Sequence, residues 1–204
     1  MTIRRHYRWI GLVALPTCLS ACASVTVAPP DAVRDTSDKI YALASPPAAP
    51  RDEDASAAVI DRNGNVIGSA LLYQGSDGVV MRLSVSGVAP GVHGMHFHAK
   101  GTCEDPQDGF KATGGHVMPF GKPHGYMHPD GPHAGNLPNL IVAADGTTTV
   151  ELYTGLVSLS DGPAALLDAD GSTLIIHENE DDHLTQPIGG AGGRIACGVI
   201  DAAS

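Results

Sequence analysis

Nine of the ten histidines in this 204-residue chain fall between His93 and His183. In Gly94-Met95-His96-Phe97-His98, the alternation of an extended strand sends Met95 and Phe97 to one face and His96 and His98 to the other. Two imidazoles about 7 Å apart on one strand can grip a single ion. His177 ends a second strand-like run, Leu174-Ile175-Ile176, and can join the same face. His116, His124 and His133 lie beside Gly114-Gly115 and Gly125, and three imidazoles converging from one loop suggest a second, closed metal site. All-nitrogen ligation suits copper, zinc or nickel, and spacing alone does not choose among them.

These side chains need a rigid scaffold, and the composition says which kind. Aromatics are only 4%, with 25 Gly and 15 Pro, a balance that favours short strands and turn-rich loops over a helical bundle. Val59-Ile60, Asn63-Gly64 and Val66–Tyr73 read as a hairpin. Asn139–Ala143, Asp145-Gly146 and Thr147–Tyr153 read as a second. Val79–Ser86 alternates, with Met81, Leu83 and Val85 on the apolar side. Ala164–Leu167, Leu174–His177 and Ile195–Ile200 supply further strands, so the expected class is all-β, a sandwich or closed barrel. Residues 101–138 hold hardly any strand-like run, and a loop this long in a compact domain is expected to be functional. Metal plus a disulfide would suffice to hold it. A net charge of −10 excludes a general nucleic-acid footprint.

The chain starts with an address. Arg4, Arg5 and Arg8 precede a short apolar run, Trp9 to Leu15, and then Leu19-Ser20-Ala21-Cys22. The run is far shorter than the roughly 20 residues of a membrane-spanning helix, and the pattern is that of a secretory signal. The ending resembles a bacterial lipobox, which makes residues 1–21 a lipoprotein signal peptide and Cys22 the lipidated first residue. Ala23 resembles the class sorted to the outer membrane. Removing residues 1–21 takes three Arg and no acid, moving the net charge from −10 to −13. Cys18 leaves and Cys22 takes lipid, so Cys103 and Cys197 most simply form one disulfide in an oxidising compartment. By chain entropy that is worth about 4 kcal/mol. Residues 22–54 read as a lipidated, Pro-rich tether, with a short helix considered around Asp35–Leu43. The folded domain is expected over residues 55–204.

Five motifs, together with the interval between His177 and Arg194, then resemble, in order and spacing, the copper/zinc superoxide dismutases. They are Gly91-Val92-His93-Gly94-Met95-His96-Phe97-His98, Gly114-Gly115-His116, Lys122-Pro123-His124-Gly125, His133-Ala134-Gly135-Asn136-Leu137-Pro138, the His177–Arg194 interval and Gly193-Arg194-Ile195-Ala196-Cys197-Gly198. The short His177–Arg194 interval is similar to the bacterial periplasmic branch. The resemblance implies an eight-stranded Greek-key β-barrel, an immunoglobulin-like sandwich with long metal-binding and electrostatic loops.

It also implies a site. His96, His98, His116 and His177 match the copper ligands, and His116 matches the imidazolate bridging copper to zinc. His124 and His133 match the other zinc histidines, Asp181 the acid linking His96 to His124, and Arg194 the arginine that docks the anion. Cys103 and Cys197 match the family disulfide. His93 matches a position that ties loop backbone together, while His128 and His183 read as solvated. Asn136 stands where the family has an aspartate as fourth zinc ligand. Zinc is therefore expected to be weakly held, absent, or helped by a substitute such as Asp130 or His128. The implied reaction is dismutation of superoxide to oxygen and hydrogen peroxide, protecting the envelope from the periplasmic side of a membrane met through the lipid on Cys22. A copper-binding or copper-buffering lipoprotein with little turnover is the second reading. Lys100 and Lys122 are the expected steering cations, and the resemblance leaves monomer and homodimer both open.

Overall fold

The structure, a computed structural model, describes residues 52–203. The signal segment, Cys22, the tether up to residue 51 and the helix considered at Asp35–Leu43 lie outside the described residues. Strand β1 (Ala55–Asp61) pairs antiparallel with β2 (Val66–Gln74). Asp61 shapes the turn between them: its carboxylate accepts the backbone N–H of Asn63 and of Asn65 at 2.8 and 2.9 Å. Gly64 takes φ 80° there. Strand β3 (Val79–Ser86) keeps the alternation read from sequence, with Met81, Leu83 and Val85 buried in the core.

Strands β4 (Gly91–His93) and β5 (Met95–His98) are one run interrupted at Gly94. They are followed by β6 (Leu140–Val142), β7 (Thr147–Thr154), β8 (Ser172–His177) and β9 (Arg194–Ala202). The large antiparallel sheet has the order β5-β8-β9-β1-β2-β3-β7, and β4 pairs with β6 in a second sheet. The turn through Asp145 and Gly146 carries the chain from β6 in the small sheet to β7 in the large one, so the second expected hairpin is corrected to a connection between sheets, and the curled sheets enclose one core. Nine segments appear where eight strands were expected because the chain changes sheet at Gly94. A side chain there would meet Ala191 Cβ at 2.9 Å and Asp181 Cβ at 3.2 Å, so glycine is required by close approach.

Both faces of β5 and β8 are buried. Met95, Phe97, Leu174 and Ile176 point into the main core. On the opposite face, His96 lies beside Ile175 and His98 beside Thr173 across the β5–β8 pair. Phe110, Ile175 and Cys197 form a separate small apolar cluster with Ile60 and Cys103. The long loop therefore roofs the outer wall of the barrel, and burying Phe110 there supplies roughly 1.5–3 kcal/mol.

One strand expectation is corrected. Ala164–Leu167 is a turn with a single bridge, Ala165 to Ser158. Ala164, Ala165 and Leu166 are still buried, because the loop folds back on residues 158–159, with too few backbone bonds to make a ladder.

Cys103 and Cys197 are disulfide-bonded across 94 positions, fastening the start of the long loop to β9. Replacing Cys103 with Ser is expected to lower the unfolding free energy by about 2–4 kcal/mol in urea denaturation. An unchanged midpoint would mean the loop is held without it.

Candidate metal centre

Strand β5 is an edge of the large sheet, and the loop backbone covers that edge. Ala99 N–H donates to Gly115 O, Val117 N–H to Phe97 O, and Phe97 N–H to Gly135 O, each at 2.9 Å. His116 is thereby set opposite His98, and Asn136 opposite His96. Farther along, the Gln186 amide clamps His124: Nε2 donates to His124 O at 2.8 Å and Oε1 accepts its N–H at 3.0 Å. Sequence reasoning relied on metal and the disulfide to hold this loop. The structure adds a backbone ladder and a side-chain clamp, and Gln186 carried no sequence signal.

One nitrogen from each of His96, His98, His116 and His177 lies within 4.8 Å of the other three. In every ring except His116 the remaining nitrogen is committed to an acceptor. His96 Nε2 donates to Asp181 Oδ2 at 2.8 Å, His98 Nδ1 to Gly114 O at 3.0 Å, and His177 Nδ1 to Gly192 O at 3.1 Å. These bonds fix the tautomers and leave a lone pair on the opposite nitrogen. His96 Nδ1, His98 Nε2, His116 Nε2 and His177 Nε2 are all buried with no partner. One such group costs roughly 1–3 kcal/mol, so four at one point demand a shared ligand. A metal ion that takes imidazole nitrogen fits.

A second group shares His116. Its Nδ1 lies 2.8 Å from His133 Nε2, which is 3.4 Å from His124 Nδ1. His124 Nε2 donates to Asp181 Oδ1 at 2.9 Å, so one buried carboxylate links His96 and His124, one oxygen each. Asn139, unflagged by sequence, holds Asp181 in place. It donates to Asp181 O at 2.8 Å and accepts Asp181 N–H at 2.9 Å. Gly189, at φ 62°, leaves the room this carboxylate needs: a Cβ would overlap Asp181 Oδ1 and come within 2.9 Å of His124 Nε2.

Asn136 is brought to this second group, fully buried, but does not complete it. Its Oδ1 accepts Gly125 N–H at 3.2 Å, which turns Nδ2 toward His124 Nδ1 at 3.4 Å. The suggested substitutes fail as well. Asp130 is exposed and His128 half-buried, the latter accepting Asp130 N–H at 3.1 Å, and neither joins the cluster. His93 has both ring nitrogens on carbonyls, His177 O and Ala89 O, each at 2.8 Å, so its role is structural. His183 is half-buried rather than solvated; its N–H donates to Asp181 Oδ1 at 2.7 Å.

Arg194, on β9, donates to Phe110 O at 2.6 Å, Thr113 Oγ1 at 2.8 Å and Gly114 O at 2.8 Å. It lines a cleft of about 460 Å³ that reaches His98, His116 and His177. The other cations lining that cleft are Arg62 and Lys111, which carried no sequence signal, while Lys100 lies against Gly114 beside it. Lys122 lines a different cleft, above the second group.

Burial pulls His116 far below the ordinary imidazole value and lowers His98 and His96. The same cause brings His133 and His177 down to about 4. Burial alone would raise Asp181, but the N–H groups of His124, His96 and His183 outweigh it and hold the carboxyl well below its usual range. Neutral rings around an ionised carboxylate are the states a metal requires. Between the ordinary value of 6.5 and about 4, the unfolded chain binds protons at His133 and His177 that the folded chain does not. Stability of the metal-free protein is thus full above that window and lost as pH falls through it. The expected loss is up to about 1.4 kcal/mol per ring per pH unit, measured by urea denaturation at several pH values. A midpoint that holds or rises toward pH 4 would contradict this protonation pattern.

Comparisons with known proteins agree with the geometry. The family model described as copper/zinc superoxide dismutase matches residues 66–200. The Cu-Zn superoxide dismutase of Caulobacter vibrioides is 48% identical over 149 residues, covering 72% of this chain and 84% of the relative. Cu-Zn superoxide dismutase 2 of Aquifex aeolicus is 40% identical over 152 residues, covering 74% and 88%. Among solved structures, a SOD-like protein from Bacillus subtilis is similar with a TM-score of 0.68 and 37% identity, over 71% of this chain and 96% of that one. The chain belongs to the copper/zinc superoxide dismutase family.

Proposed function

We propose that His96, His98, His116 and His177 hold the copper at which this superoxide dismutase works. Arg194 docks the substrate anion, and His124 and His133 share His116 with zinc. The observation that carries this assignment is the set of four buried, unpartnered ring nitrogens opening onto a cleft lined by a guanidinium. Two superoxide anions and two protons become one dioxygen and one hydrogen peroxide. Bound copper supplies the one-electron chemistry, accepting from one superoxide and giving to the next.

The chain's own residues do the rest. Three N–H groups of Arg194 face loop atoms, which fixes the plane of its guanidinium and leaves charge and donors for an anion in the cleft. His116 presents Nε2 to the first group while its Nδ1 stays against His133. With Nδ1 held there, Nε2 would be placed to carry a proton to the developing peroxide in the state in which it is released from metal ligation. Asp181 keeps the His96 lone pair on Nδ1 by accepting from Nε2. Arg62, Lys111 and Arg194 outnumber Asp108 at the cleft, so the local field attracts an anion despite the net charge of −10. A copper-buffering role is not favoured, because a store needs no anion dock and the relatives are superoxide dismutases.

For location, our reading is a lipoprotein anchored through Cys22, on the periplasm-facing side of a bacterial outer membrane. Supporting it are Leu19-Ser20-Ala21-Cys22 behind a short apolar run, with Ala23 next. The Cys103–Cys197 disulfide also belongs to an oxidising compartment.

The test is a superoxide-consumption assay with metal analysis on copper-loaded protein. Native protein is expected to be active, with a rate that falls as salt is added. Lys111→Gln should slow the reaction about two- to tenfold at low salt, and His98→Ala should lose both copper and activity. Copper bound without turnover would overturn the enzymatic assignment, and a salt-independent rate would exclude attractive steering.

A further inference from the structure

We propose that the second metal site is an open one. A metal on His116, His124 and His133 takes its fourth ligand from solvent, as a water or a small monodentate anion. The proposal deepens the reading of these three rings as metal ligands and rests on it. The chain's own fourth candidate is engaged elsewhere. Asn136 Oδ1 accepts Gly125 N–H at 3.2 Å, and its backbone carbonyl accepts the Tyr126 hydroxyl at 2.8 Å. The group turned toward His124 is Nδ2, and an amide nitrogen offers a metal no lone pair. Flipping the amide would set Nδ2 against the Gly125 N–H, leaving a buried donor unmatched at a cost of roughly 1–3 kcal/mol.

Among the described residues no other carboxylate takes the position. Both oxygens of Asp181 are committed, Oδ2 to His96 and Oδ1 to His124. Asp130 is exposed and outside the cluster.

Solvent can reach the ion where Asn136 does not. A cleft of about 280 Å³ is lined by His116, His124 and His133 together, with Met118, Lys122 and Gln186 around it, and Asn136 is not part of its wall. At about 30 Å³ for each water, several waters or one small anion fit. Charge points the same way. An amide in place of a carboxylate leaves a divalent ion with one negative ligand fewer. An anion entering past Lys122 restores that charge. Three protein nitrogens plus one exchangeable position is the pattern of open zinc sites, whereas structural sites are closed by four protein ligands.

The probe is cobalt(II), whose visible bands report its ligands. Purified protein would be given one equivalent of copper, kept as colourless copper(I), then one of cobalt(II), and titrated with azide. The native bands are expected to shift saturably. Asn136→Asp is expected to bind azide at least tenfold more weakly and to release cobalt to a chelator at least tenfold more slowly. Bands indifferent to azide in the native protein, or an Asn136→Asp variant that responds like the native one, would overturn the open site. Cobalt failing to bind at all would also overturn it, and would do so by removing the three-histidine metal reading beneath it.

Discussion

Everything in this molecule turns on what the second nitrogen of each buried imidazole does. A neutral ring has one donor and one lone pair, and pinning the donor decides where the lone pair points. In His96, His98 and His177 the donor is pinned by Asp181, Gly114 O and Gly192 O respectively. The lone pairs are thereby turned on one point, and burial keeps the rings uncharged. Such an arrangement opposes folding unless an ion repays the stranded nitrogens. The disulfide, the ladder on the edge of β5 and the bonds from Arg194 serve the same end, because each fixes a loop acceptor or a loop ring to the barrel wall.

Asp181 extends that logic from one metal group to the other. One carboxylate oxygen orients His96 in the first and the other orients His124 in the second, so a shift of this side chain disturbs both. Its surroundings explain why it does not shift. Asn139 holds its backbone on both sides, His183 N–H adds a third donor, and Gly189 keeps the space beside it clear. The substitution at Asn136 therefore changes ligand chemistry in the second group without loosening the scaffold. Asn136 N–H still donates to His133 O at 3.2 Å, and the amide still meets Gly125.

Much of this was legible in the chain, for reasons that can be named. Strand alternation put His96 and His98 on one face because a strand repeats every two residues, and His177 stood at the end of a second strand-like run that could join that face. Short turns such as Asn63-Gly64 carried their own geometry. What stayed hidden was long-range and polar. Gln186 clamps a residue 62 positions away, and Asn139 grips one 42 positions away; no local pattern marks either. Arg62 stayed unmarked for the same reason, since it follows the first hairpin strand and reaches the site only through the fold. Ala164–Leu167 failed differently: an apolar run reports burial, and a folded-back turn can be as buried as a strand.

The most direct test of four converging nitrogens is electron paramagnetic resonance of the protein loaded with one equivalent of copper(II). A single cupric species with superhyperfine splitting from several nitrogens is expected, and it should simplify when His177 is replaced by Ala. An oxygen-dominated spectrum, or a nitrogen pattern that survives His177→Ala unchanged, would contradict the centre described for this fold.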